Sequence, residues 1–69
     1  MTGALSWTEL TAEATENRRI ANMEYRYARK LAKADYLLPE KRAAYIATAR
    51  ERARAANKRA RRYEQQAAS

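Results

Sequence analysis

The feature that most constrains this chain is a seam of small residues in its C-terminal half. Ile46, Ala49, Ala53, Ala56, Ala60, Tyr63 and Ala67 follow one another in steps of 3, 4, 3, 4, 3 and 4. That spacing is an unbroken a/d heptad line, a period that a helix supports and a strand does not. The segment is therefore read as a helix with one long packing edge. Because the edge is almost wholly alanine, it lets a second helix backbone come close, toward the lower end of the ~8–10 Å interaxial range.

The rest of the sequence has to supply that second helix. Of its 32 apolar residues, 17 are alanine, and Val and Phe are absent. With one Gly and one Pro in 69 residues, the composition favours helix over sheet and allows a single domain at most. A core this small and this alanine-rich rarely supplies more than ~3–5 kcal/mol, so self-association or a partner is an expected part of its stability.

Helix boundaries are written in the sequence. Ser6 precedes Glu9 by three residues, the pattern of a capping box, and Leu5 and Leu10 stand at the positions of a hydrophobic staple. Glu9, Glu13 and Glu16 follow in the first turns, where the helix dipole favours negative charge. Helix 1 is expected over about 7–36, after a disordered lead at 1–5. Pro39 disfavours helical geometry at Leu38 and suits the first position of a new helix. Helix 2 is expected over about 39–66, with 67–69 frayed. So short a linker makes the two helices antiparallel neighbours, an αα-hairpin; one long helix kinked at Pro39 is the alternative.

Helix 1 carries two apolar stripes. Trp7, Leu10, Ala14, Ala21 and Ala28 form one line, and Ile20, Met23, Tyr27, Leu31, Ala34 and Leu38 form another. Two stripes point to two neighbours, unless they are one wide face. The expected architecture is therefore all-α: an antiparallel two-helix hairpin that dimerises into a four-helix bundle. Larger residues such as Ile20, Tyr27 and Leu31 are expected opposite the alanine seam, small against large.

Charge indicates the kind of partner. The formal net charge is +7; residues 1–38 hold six basic and five acidic side chains, residues 39–69 nine and three. Arg50, Arg54, Lys58 and Arg62 succeed one another at i, i+4, and Arg61 lies close to the same line. Each like-charge contact costs a few tenths of a kcal/mol in an isolated helix. The row spans about 18 Å at 1.5 Å per residue, a length that meets many phosphates along a duplex carrying one charge per ~1.7 Å. Nucleic-acid backbone is the expected partner, an acidic surface on a larger protein the alternative, and a merely solvated face the plainest reading. The candidate contact residues are Arg50, Arg54, Lys58, Arg61 and Arg62 of helix 2, with Tyr25 of helix 1, beside Arg18, Arg26 and Arg29, as an exposed aromatic anchor. Tyr27 and Tyr63 are expected in the core, and Tyr36 against Tyr45. Asn57, between Arg54 and Arg61, is the one side chain on the row able to read adenine, too little for a base-specific code.

Other functions find no residues to carry them. There is no His and no Cys, which removes thiol chemistry, disulfides and the usual zinc ligands. The helix 1 carboxylates are accounted for by the helix dipole, so neither catalysis nor a metal, cofactor or small-molecule substrate is expected. No apolar run approaches the ~18 residues of a membrane span, and no signal peptide is recognisable, so the expected setting is the cytoplasm, without membrane attachment. The bias to Ala and Arg in so short a chain suits a small phage or bacterial accessory protein.

Overall fold

Ser6 starts the first helix as its spacing from Glu9 predicts. In the computed structural model, which describes residues 5–69, the Ser6 hydroxyl accepts from the Glu9 amide at 3.2 Å, and the Glu9 carboxylate accepts from the Ser6 amide at 3.0 Å. Two of the amides a helix start leaves unpaired are thereby satisfied. Helix α1 then runs Trp7–Ala32 and helix α2 runs Pro39–Ala68. Of the expected disordered lead, residues 1–4 lie outside the described residues.

Helix α1 stops about one turn earlier than expected. The Lys33 and Ala34 amides turn to the carbonyls three residues back, Lys30 and Leu31, at 3.1 and 3.0 Å, and the Leu37 amide bonds the Ala34 carbonyl at 3.1 Å. These tight i→i−3 bonds bend the chain round before Pro39 forces an extended Leu38, with φ −61° and ψ 143°. The reversal here takes six residues, 33–38, where the expected boundaries allot two. At the other end α2 persists to Ala68, so the tail expected to fray over 67–69 is helical except for Ser69.

The two helices pack side by side into a rod of 51 × 17 × 16 Å. Ala49, Ala53, Ala56 and Ala60 are all buried, as the heptad spacing requires, with Ile46, Tyr63 and Ala67 half-buried at the ends of the line. What faces them is a second small-residue line. Leu10, Ala14, Asn17, Ala21, Ala28 and Leu31 are buried on α1, and Ala21 packs directly with Ala53 and Ala56. The seam is thus largely alanine on alanine, and among the described residues eight of the ten buried apolar ones are alanines.

This arrangement corrects the expectation of large side chains opposite small ones at Tyr27, while Ile20 packs on the cluster and Leu31 is buried as expected. Tyr27 is 50% exposed, Met23 53% and Leu38 66%; Trp7, placed on the buried line by its spacing, is 67% exposed. Tyr36 is 85% exposed, so it does not shelter against Tyr45. Only Ile20 from the second stripe packs on the central alanine cluster, while Leu31 and Ala34 close the turn end. The two alanine edges match each other along the middle of the interface, with Leu10 and Leu31 buried toward its ends and Ile20 and Tyr25 packed on its sides.

Candidate functional site

Polar clamps on both flanks fix the register that presents the basic residues. On one flank Arg18 reaches from α1 to α2: its Nη2 and Nε donate to the Glu64 carboxylate at 2.7 and 3.2 Å, and its Nη1 donates to the Asn57 carbonyl oxygen at 3.0 Å. The planar fork of Arg suits this bidentate contact. Its hydrogen bonds hold the Glu64 carboxyl below the ordinary carboxylate value of 4.5. On the other flank Asn17, buried within the seam at 6% exposure, donates to the Glu13 carbonyl and accepts from Arg59 Nε, both at 2.8 Å. Arg59 is thereby a structural residue.

The five basic residues singled out on α2 are all exposed. Among the described residues, the ion pairs are Arg18–Glu64 and Arg19–Glu16, so none of Arg50, Arg54, Lys58, Arg61 and Arg62 is neutralised by a carboxylate contact. The fold divides them. Arg54, Lys58 and Arg61 line one shallow hollow of about 360 Å³ together with Tyr25 and Asn57. Arg62 belongs to a different hollow, with Arg59, Tyr63 and Gln66. Arg50 lies one turn before Arg54 and lines neither.

Tyr25 differs from the exposed anchor expected of it. The ring is half-buried and packs against Ala21, Ala53 and Ala56, so it forms the wall of the hollow and not a projecting contact. Asn57 has a defined orientation as well. An arginine only donates, so the bond from Arg18 fixes the Asn57 oxygen toward Arg18 and leaves its NH₂ as a donor. A bidentate grip on adenine needs both amide atoms, and one is already taken. The hollow therefore offers guanidinium, ammonium, amide N–H and phenol groups, with no carboxylate in its lining. That is the chemistry of an anion site.

A second basic cluster has no counterpart in the expectations from sequence. Arg26, Arg29, Lys30 and Lys33 are exposed and line a hollow of about 290 Å³ on α1. It is hidden in the sequence because summing charge over the first 38 residues sets it against five acids lying mostly upstream. The local signal is plain enough: four cations at i, i+3, i+4 and i+7 with no acid between Glu24 and Asp35.

No helix among the described residues is long and apolar enough to cross a membrane. Comparison with protein-family models, with curated proteins and with solved structures finds no match to this chain.

Proposed function

We propose that this hairpin binds nucleic acid through the phosphate backbone, with Arg50, Arg54, Lys58 and Arg61 of α2 as the contact row and Arg62 adding charge from its far side. The observation that carries this reading is the row's lack of carboxylate partners. These cations repel one another along the helix, and none of them makes an ion pair; Arg61 alone lies near an acid, Glu64, which Arg18 already holds. A polyanion offsets that repulsion by displacing its own condensed counterions. An acidic protein surface is the less favoured partner, because tight protein interfaces are centred on a desolvated aromatic or Arg anchor. Here the adjoining aromatic, Tyr25, is committed to the alanine seam. The absence of cysteine fits a cytoplasmic setting.

The reading is tested by fluorescence anisotropy with a labelled short DNA or RNA duplex over a range of salt. Each phosphate contact contributes ~0.9 to the slope of log K against log salt on a duplex, so Arg54→Glu with Arg61→Glu is expected to reduce the slope by about 2. Unchanged affinity and slope would remove the row from the interface.

A second element of the proposal is a homodimer. The specific observation behind it is that Met23, Tyr27 and Tyr45 are about half exposed, while the buried core is almost entirely alanine. Tyr27 and Tyr45 share a hollow on the flank away from Tyr25. A second copy laid on this flank forms a four-helix bundle and leaves the basic row open.

A further inference from the structure

Part of the α1 and α2 charge is on opposite outer sides of the rod: Arg26, Lys30 and Lys33 lie on the back of α1 and Lys58 on the back of α2, while Arg29, Arg50 and Arg61 lie about 90–110° from their seams on the flank of Tyr25. The buried residues of α1 and α2 face each other across the single seam, so each helix has one back turned to solvent. At 100° per residue, Arg26, Lys30 and Lys33 lie about 150–170° from the centre of the α1 seam, and Arg29 about 110° from it. Arg54 and Lys58 lie about 130° and 170° from the α2 seam by the same count. The rod between them is only 16–17 Å across, and it is straight and 51 Å long. A rigid body of that shape cannot lay both backs on one straight duplex.

The α1 cluster has the same unpaired character as the α2 row. Arg26–Arg29, Arg26–Lys30, Arg29–Lys33 and Lys30–Lys33 are all like-charge neighbours at i, i+3 or i, i+4. None of the four has a carboxylate partner among the described residues. The helix dipole accounts for cations in the last turn, at Arg29 and Lys30, but it fades within one turn and does not extend to Arg26. Over residues 26–33 the cluster is about 10 Å long, enough to meet several backbone charges.

From this we infer that Arg26, Arg29, Lys30 and Lys33 form a second nucleic-acid backbone site, so that one hairpin bridges two separate segments. The inference rests on the proposed binding of nucleic acid by α2, and it adds a bivalent architecture to that reading. Where both segments belong to one nucleic acid, two sites on one rigid body raise the effective concentration of the second segment once the first is held; separate duplexes are bridged without that gain. Bridged duplexes are thus expected at protein concentrations where each site is filled, and excess protein dissolves the bridges by occupying every duplex singly.

The test uses two short duplexes, one labelled with an energy-transfer donor and one with an acceptor, mixed with the full chain. Energy transfer that rises and then falls with protein concentration is the expected result. In the Tyr27→Glu, Tyr45→Glu background, which removes the proposed dimer and its second α2 row, replacing Arg26, Arg29, Lys30 and Lys33 together by Gln, a good helix former, should abolish transfer and keep affinity for a single duplex within about tenfold. Circular dichroism checks that the variant folds. Wild-type binding without transfer overturns the second site and leaves the α2 reading intact. Transfer that survives in that monomeric Gln variant also overturns it, because bridging then needs none of the α1 cations. Absence of any wild-type binding overturns both.

Discussion

Arg18 grips Glu64 across the hairpin in a two-pronged contact of 2.7 and 3.2 Å between residues 46 apart in sequence. The same guanidinium holds the Asn57 amide, so one α1 side chain fixes two positions on α2. Its dependence on an ionised carboxylate has a consequence for acid stability. The Glu64 pKa is lowered in the folded chain by its bonds to Arg18, and that of Glu9 by its bonds to Ser6. A depressed folded-state pKa gives stability that is complete above the unfolded value and is lost as pH falls through the folded one. Thermal melts should therefore show the midpoint falling once pH drops below about 4.5, the ordinary value. Glu64→Gln should flatten part of that decline, and an identical pH profile in the variant would show that the contact contributes nothing.

Ala56 sits at zero exposure against Ala21. A leucine there has no space to enter without separating the helices. Ala56→Leu should cost about 1–3 kcal/mol in urea unfolding. A variant as stable as the wild type would mean that the helices are not closely apposed.

Ser6 supplies the hydroxyl of the α1 capping box and Glu9 the carboxylate, whereas α2 begins at Leu38 with no side-chain cap and relies on Pro39. Ser6→Ala is expected to lower stability by about 1 kcal/mol. Amide exchange should speed up first in the opening turn of α1.

Arg54 and Arg62 carry the same charge on one helix but line different hollows. Arg54→Gln should weaken duplex binding more than Arg62→Gln, and anisotropy titrations at fixed salt compare them directly. Equal losses would show that only total charge matters.

The flank bearing Tyr27 and Tyr45 is where a second copy is proposed to dock. Tyr27→Glu with Tyr45→Glu should shift the protein to monomer in sedimentation equilibrium while leaving its helicity unchanged. A wild-type protein that is already monomeric at high concentration would remove the dimer.

Several elements could be read from residues alone because their signals are local. Ser6 with Glu9 marks the start of α1, Pro39 marks the start of α2, and the 3-4 spacing picks out the alanines that are buried. The end of α1 was not legible, because no Gly or Pro lies between Ala32 and Leu38 and the reversal depends on the distance between the packed helices. Tyr25 and Tyr27 exchanged their expected roles for a related reason. Two residues apart on a helix, they point about 160° away from each other. Which one meets the seam depends on which α1 stripe α2 selects. Ala14, Ala21 and Ala28 match its alanines in size, and the bulkier stripe loses. The grip of Arg18 on Asn57 and Glu64 has no local signature, since it exists only once the register is set. Of the basic row, exposure was legible but its division between two hollows was not.

The alanine-on-alanine seam also bears on how this protein responds to temperature. Unfolding raises heat capacity mainly by hydrating apolar surface. A seam built from methyl groups, with Leu10 and Leu31 the only large buried apolar side chains among the described residues, has little such surface to expose. Its heat-capacity increment should fall below the usual ~12–15 cal/mol/K per residue. The stability curve is then shallow, so cooling weakens the hairpin less than it weakens a protein held by a large hydrocarbon core.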